Sequence, residues 1–363
     1  MGIYCYSATM LHTIDFTGTT PRHQQVYDQL LQCIRDGYWQ LGAKIPAELE
    51  IAAALGVAKL TVHRAVQALA KDGWVTRSVG RGTFVAPRNT KSSLRRVLLA
   101  FGASATNVLG SDYYGKLYQG IADTLGTDIE LILCPDSFGA RSFPAADGIL
   151  IIAPREDTLP SITGLTAKNI PTLVVGAHWP GLLLPAVDSD NVAAARQAVA
   201  HLAESGHKSI VLVYSEPETA NIRDRIGGFR AEAKARDLRT SELQAQAFWQ
   251  LSCKEKEALL ASLTQGTTAV FAAGYYLALD VLNTLREAHY SVPGDISVVG
   301  FDDPVSAQLV YPPLTTLRQP LYEMGQHAAK RLAALAAGNN NEGSLELLPV
   351  ALIVRDSTAS PRA

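Results

Sequence analysis

Cysteine is nearly absent, and the little there is stands apart. Cys5, Cys33, Cys134 and Cys253 form no C-x-x-C pair, and none has a histidine at metal-ligand spacing. A disulfide framework and a zinc site are therefore not expected. Long apolar runs are missing as well: a stretch such as Gly148 to Ala153 is far shorter than the roughly 20 residues that span a bilayer. The first residues carry neither a basic segment nor a small-residue cleavage site, so the chain is expected to work in the cytoplasm with no membrane partner. Motifs of catalysis are missing too. There is no G-x-S-x-G, H-E-x-x-H or G-x-x-x-x-G-K-[ST], and no convincing G-x-G-x-x-G. His178, His201, His207, His289 and His327 are spread among different elements, and His207, after Gly206, reads as a cap on a helix end. No catalytic residue, metal or cofactor is expected, and the chain is not read as an enzyme. Residues 1–20 fit no pattern, and Met10 is a second candidate start.

What is present is enough apolar material for a substantial core. With 47% hydrophobic and 18% charged residues the chain is globular, and 363 residues suit two domains better than one. The net charge of −2 hides a split: residues 21–96 hold 12 Lys and Arg against 5 Asp and Glu, whereas residues 97–363 hold 20 against 28. A compact basic block joined to a larger acidic one puts any polyanion at the first block, because attraction to phosphate fades within a Debye length.

In that first block, Val26, Tyr27, Leu30, Leu31 and Ile34 follow helical spacing and Gly37 marks a stop. Glu48 to Leu55 is a short second helix with Ile51, Ala52 and Leu55 inward, and Gly56-Val57 turns the chain into a third helix from about Ala58. Two short helices about a glycine turn form a helix-turn-helix. In the third, Val62, Ala65, Val66 and Leu69 face inward, which leaves Lys59, Thr61, His63, Arg64 and Gln67 outside. Such a face suits the major groove, where Arg and Gln read base edges while Lys and Thr hold phosphates. Trp74-Val75-Thr76-Arg77, a turn over Val79-Gly80-Arg81-Gly82, and Thr83-Phe84-Val85 read as a hairpin wing with Arg81 at its tip.

The order Ile45-Pro46-Ala47-Glu48-Leu49, Leu55-Gly56-Val57, Thr61-Val62, Asp72-Gly73-Trp74-Val75 and Gly80-Arg81-Gly82-Thr83-Phe84-Val85 resembles the gluconate-repressor (GntR) DNA-binding domain over residues 21–86. The resemblance implies a double-stranded DNA operator as partner, touched by Glu48, Lys59, Thr61, His63, Arg64, Gln67, Arg77, Arg81 and Thr83. The chain departs from that pattern in carrying Ala47 and Ala58 for Ser, and Leu49 and His63 for Arg. Without a serine at position 58 the third helix forgoes a cap worth about 1 kcal/mol. The absence of two arginines means that the family's usual operator does not transfer.

Residues 87–96 read as a polar linker. Beyond it, short apolar strands at Val97–Phe101, Ile129–Leu133, Gly148–Ile152, Thr172–Val175, Ile210–Tyr214, Thr268–Ala272 and Ile296–Val299 alternate with helical stretches such as Tyr113–Leu125, Asn191–Glu204 and Tyr276–Ala288. This alternation is the pattern of α/β parallel sheets covered by helices; periodicity alone leaves one sheet or two open. Asp188-Ser-Asp-Asn191, His201-Leu202, Gly206-His207, Arg225-Ile-Gly-Gly-Phe229, Val292-Pro293-Gly-Asp295, Val299-Gly-Phe-Asp-Asp303, Pro313-Leu-Thr-Thr316 and Val354-Arg-Asp-Ser-Thr358 resemble the effector domain of the lactose-repressor (LacI) family.

That resemblance covers residues 97–358 and implies two Rossmann-like lobes, periplasmic-binding-protein-like, with a pocket between them. The pairing with the first block is similar to arabinose-repressor-type regulators, which implies a sugar-like effector, a homodimer, and release of DNA on binding. Carried over residue by residue, Arg225 matches the family's ligand-gripping arginine and Asp302 an acceptor for sugar hydroxyls, while Tyr113, Tyr114 and Trp249 stand at aromatic positions. Gly274-Tyr275 replaces a usual Asn-Asp, so a phenol stands where polar groups would meet ligand hydroxyls and the effector is expected to be larger, flatter or less hydroxylated than a simple hexose. A plain solute-binding protein shares the two-lobed form, but it calls for an export signal and no basic helix-turn-helix, the reverse of this chain. An enzyme fused to the DNA module calls for a longer second block and a cofactor lysine motif.

Overall fold

The computed structural model describes residues 21–35, 38–40, 42–78, 80–86, 94–102, 111–135, 144–158, 170–179, 181–216, 219–247, 249–338 and 344–362. Gly37, Val79, most of the linker and residues 1–20 lie outside them. The chain divides into two compact units, Met1–Ser92 and Ser93–Ala363.

The first unit holds α1 (Arg22–Arg35), α2 (Glu48–Leu55), α3 (Lys59–Lys71), β1 (Val75–Ser78) and β2 (Gly82–Val85). Val26 and Leu30 of α1, Ile51 and Leu55 of α2, and Val62, Val66 and Leu69 of α3 close on one core with Val75 and Val85 of the wing. Gly56 ends α2 at φ 65°, a left-handed conformation that leaves its N–H pointing back to the carbonyl of Ala52. This residue sets the angle between α2 and α3, and a Cβ there would strain it. Ala58 begins α3 with no side-chain cap, as its methyl dictates. The Tyr27 hydroxyl donates to Asp72 Oδ2 at 2.7 Å and fastens α1 to the far end of α3. β1 and β2 pair antiparallel from Val75↔Val85 to Ser78↔Gly82, which sets Arg77 opposite Thr83.

The second unit contains two six-stranded sheets. The N-terminal lobe takes β3 (Arg96–Phe101), α4 (Asp112–Leu125), β4 (Glu130–Cys134), β5 (Gly148–Ile152), β6 (Thr172–Val175) and β7 (Ala186–Ser189). The chain then crosses to build the C-terminal lobe from α5 (Asn191–Glu204), β8 (Ser209–Ser215), α6 (Ala220–Ala235), β9 (Arg239–Ala245), α7 (Cys253–Thr264), β10 (Ala269–Ala272), α8 (Tyr275–Glu287), β11 (Ser297–Phe301) and β12 (Thr315–Arg318). It returns for α9 (Leu321–Ala336) and β13 (Leu345–Leu348), which pairs with β7, and ends in β14 (Ala351–Ile353) against β12. Strand order is 13-7-6-5-3-4 in the first sheet and 14-12-11-10-8-9 in the second. Three crossings tie the lobes together, so the carboxyl ends of both parallel sheets are held close to a short hinge.

The apolar runs read from the sequence are the central strands, buried on both faces, except Ile129–Leu133, which becomes the partly exposed edge strand β4. The strands that escape that reading are β7, β9, β12, β13 and β14, at or next to sheet edges, where polar residues intrude. β9, Arg-Thr-Ser-Glu-Leu-Gln-Ala, is mostly exposed and holds its place through seven parallel partners on β8 rather than through apolar burial. His207 is a correction: its ring caps no helix. It is 1% exposed, with Nδ1 2.9 Å from Thr268 Oγ1 and Nε2 2.9 Å from both Ser297 Oγ and the Ala359 carbonyl. Only its backbone N–H turns to the end of α5, at Leu202.

Close helix contact fixes the N-terminal lobe. A Cβ on Gly120 of α4 would fall 2.0 Å from the Tyr322 carbonyl oxygen, and one on Gly325 of α9 would fall 2.3 Å from that of Leu117. The two helices therefore meet backbone to backbone, and the obstacle is rigid main chain. Gly120→Ala is expected to destabilise this unit by about 1–3 kcal/mol through overpacking; an unchanged thermal midpoint would contradict the contact.

Candidate functional site

On the first unit, α3 presents Lys59, Arg64 and Gln67 to solvent, with Thr61 and His63 half-buried. Lys59, Arg64, Gln67 and Arg81 make no side-chain hydrogen bond or ion pair with any described residue, so their donors are open. Glu48 is different. Its carboxylate lies 3.0 Å from His63 Nδ1 and also pairs with the Arg77 guanidinium, which ties the start of α2 to α3 and to the wing. Both Glu48 oxygens are engaged by these partners, and His63 is held rather than free. Thr83 sits half-buried opposite Arg77. Leu60 is 60% exposed on the same outward face, and the sequence does not mark it because a leucine in an amphipathic helix reads as core.

In the second unit, the ends of β3, β6, β7, β8, β10 and β11 supply one group of side chains. Arg225, on the first half of α6, is 3% exposed. Its Nε–H donates to Asn191 Oδ1 at 2.9 Å, one Nη1–H donates to the Ala273 carbonyl at 2.7 Å, and the guanidinium lies 3.4 Å from the Phe301 ring centroid. Burial lowers its pKa, while Asp302, Asp188 and Asp224 oppose that shift. Tyr113, at the start of α4, puts its hydroxyl against the bare Cα of Gly176, where a Cβ would come within 2.3 Å. Its phenol is held well above its ordinary pKa by burial and by Asp188 and Asp302, so it stays a neutral donor. Tyr114 packs edge-on to both Tyr113 and Phe101, at 5.2 and 5.5 Å.

Asp302 follows β11 at φ 70°, a strained conformation for a residue with a Cβ. A relay holds it there: Ser189 Oγ donates to Gln319 Oε1 at 2.7 Å, and the Gln319 amide donates to Asp302 Oδ1. The structure thus brings Tyr113, Tyr114, Arg225 and Asp302 together. Tyr275 turns its ring into the C-terminal lobe core and donates its hydroxyl to Ser306 Oγ at 2.7 Å, so the phenol expected to face ligand is spent on the loop after β11. Trp249 is 54% exposed, beyond the end of edge strand β9.

His178, Asp188 and Asp224 join the group, although the sequence marks none of them as a site residue. His178 Nδ1 lies 3.3 Å from Asp188 Oδ2, in its own lobe, and Nε2 lies 3.6 Å from Asp224 Oδ2 in the other. Two more ion pairs cross between the lobes, Arg155–Glu216 at 2.7 Å and Arg223–Glu156 at 3.4 Å. An Asp beside the arginine of a helix is the only signal in the sequence for Asp224. His178 lies in an irregular segment after β6 and carries no periodic signal.

A winged helix-turn-helix followed by two hinged parallel-sheet lobes, with a buried cation facing carboxylates at the strand ends, defines a DNA-binding transcription regulator with a ligand-binding-type domain. Comparison with known proteins gives the particular kind. Residues 22–85 match the bacterial regulatory proteins of the gntR family, and residues 199–358 match a periplasmic binding protein-like domain. The chain is 28% identical to the HTH-type transcriptional regulator DegA of Bacillus subtilis over 69% of this chain and 78% of that one. It is 27% identical to the arabinose metabolism transcriptional repressor of Geobacillus stearothermophilus over 94% of this chain and 98% of that one. A LacI family transcriptional regulator from Enterococcus faecium, solved with bound ribose, superposes with a TM-score of 0.59 at 28% identity, covering 73% of this chain and 100% of that one. The chain is a transcription regulator that joins a gntR-family DNA-binding domain to a periplasmic binding protein-like domain of the LacI type. No helix among the described residues is long and apolar enough to cross a membrane.

The His178 cluster makes a pH prediction. Its imidazole pKa is raised, first by the hydrogen bond to Asp188 and then by Asp224 and Asp188 as charges, against the opposing effect of burial. A folded value above the unfolded one stabilises the fold fully below the unfolded pKa near 6.5, and that contribution is lost as pH rises through the folded value. The His178 ring is expected to titrate above 6.5 by NMR, and Asp188→Asn to bring it down. A midpoint unmoved by Asp188→Asn would contradict this arrangement.

Proposed function

We propose that the chain is a repressor that grips a duplex operator and lets go when a sugar or sugar derivative binds between the lobes. The observation that carries the ligand half is Arg225. Asn191, the Ala273 carbonyl and Phe301 fix a buried guanidinium while leaving part of its donor fork open beside Asp302 and Tyr113. Fixed donors and acceptors set beside one another suit a polyhydroxylated ligand. The relatives include an arabinose metabolism repressor and a regulator with bound ribose, which makes pentoses the first compounds to try.

The DNA half rests on the open donors of Lys59, Arg64 and Gln67 on α3 and of Arg81 at the wing. Operator binding through two copies of this face calls for a homodimer, whose two-fold axis sets the half-site spacing. Support for a dimer comes from the loop after β11, where Val305, Leu309 and Tyr311 are 62, 75 and 94% exposed. Large apolar side chains left this open mark a surface for association. Such a regulator acts in the cytoplasm, where its operator is, and carries out no chemistry of its own.

Lys59→Ala and Arg81→Ala are expected to weaken DNA binding across sequences and to lower the salt dependence by about one unit of log–log slope for each phosphate no longer neutralised. Ligand binding should not move. Unchanged affinity and slope in both variants would put the DNA-reading face elsewhere. Arg225→Ala is expected to abolish the thermal shift given by an active pentose and the ligand's effect on a gel shift, while still binding operator. Arg225→Lys, which keeps the charge but not the fork, should fail in the same way. Normal response in Arg225→Lys would sink the pocket.

A further inference from the structure

Two large apolar side chains of the first unit lie in the open: Leu49 is 67% exposed and Leu60 is 60% exposed. Each is the second residue of its helix, α2 and α3 respectively. The Glu48–His63 contact joins these two helices, and Leu49 directly follows Glu48 along the chain. Leu60 lies three, four and seven residues before His63, Arg64 and Gln67, so all four share one helix face. Leu49 is the neighbour in sequence of Glu48, whose carboxylate meets His63 of that face. Leucine brings no donor and no acceptor, so whatever it reads must be apolar.

The surroundings decide what meets this patch. Lys59 and Arg64 are exposed and have no partner among the described residues, and Arg77 is anchored on Glu48 nearby. An apolar spot rimmed by uncompensated cations is matched by a polyanion that itself carries apolar points. The major groove of duplex DNA has one such point at each A·T pair, the 5-methyl group of thymine. A leucine set against guanine O6 or cytosine N4 would strip water from a polar edge and return no hydrogen bond, so the same contact also rejects G·C pairs.

We infer that Leu49 and Leu60 read thymine methyl groups in the major groove, making part of each operator half-site selective by apolar contact rather than by hydrogen bonding. This inference rests on the DNA-binding reading above. It assigns to these positions a preference for T that no charged residue at them would have.

The test uses the full chain and duplexes selected by it from a random library. In the selected duplex each thymine is replaced in turn by deoxyuridine, which removes only the methyl group. Removing one buried methyl is expected to weaken binding about fourfold at one or two positions per half-site. In Leu49→Ala and Leu60→Ala the thymine-to-uracil ratio at one of these positions should fall to about one, each variant silencing a different position, with the salt slope unchanged. Both leucines are exposed, so the variants should keep the parent's thermal midpoint, and this is measured alongside. Equal binding of thymine and uracil duplexes by the parent chain, or a thymine preference that survives in both variants, overturns the inference while leaving DNA binding intact. Failure of the parent chain to select any duplex overturns the DNA-binding reading itself and this inference with it.

Discussion

A guanidinium with 3% of its surface exposed cannot be left to itself. Desolvating a charge costs several kcal/mol unless hydrogen bonds and opposite charges replace the missing water. Arg225 meets that demand with parts drawn from far along the chain: Asn191 from the start of α5, the Ala273 carbonyl from the end of β10, and Phe301 from the end of β11. The carboxylates of Asp188, Asp224 and Asp302 complete the field around it. Each sits where a parallel strand or the helix after it converges on the hinge. The triple-crossing topology is the frame that makes this buried cation tolerable, and the cation is the element that gives the cleft its polarity.

The contacts between the lobes are of another kind. Arg155–Glu216 and Arg223–Glu156 are formed by side chains with about a third to a half of their surface exposed, and pairs of that sort are worth between zero and about 1 kcal/mol each. His178 adds a link that loosens when it gives up its proton. Such a set holds a conformation without locking it. Moving a population of this kind almost completely takes a preference of about 5 kcal/mol for one arrangement of the lobes. Backbone strain is concentrated in the same place, at Ala153, Glu216 and Asp302, all with positive φ at strand ends.

The first unit solves a smaller problem by a similar route. Glu48 joins His63 of α3 to Arg77 of the wing, so one carboxylate fixes the relative positions of three elements that must present a single face. With Glu48 so engaged, Lys59, Arg64 and Gln67 stand open among the polar groups of α3, and Leu49 of α2 and Leu60 of α3 stand open among the apolar ones. A face composed in this way differs from the arginine-rich pattern it resembles, and the difference lies in chemistry rather than in backbone.

Much of this is legible in the chain alone, for reasons of period and turn chemistry. The inward stripe Val62, Ala65, Val66, Leu69, the Gly56 turn and the glycines about the wing are local signals, and the central strands announce themselves as apolar runs because both of their faces are covered. Motif order carried Arg225 and Asp302 to the cleft. What could not be read was any pairing set by distance in space. The polar edge strand β9 has no apolar signature, and His178 comes from an irregular segment. The fate of the Tyr275 hydroxyl depends on a serine 31 residues away. Sequence determined the helix-turn-helix, the wing, the apolar strands and the residue types available to bind, since those follow from neighbours along the chain. Tertiary structure decided which charges face each other, which phenol is spent internally and which leucines stay exposed, because burial and pairing are properties of the whole packed unit.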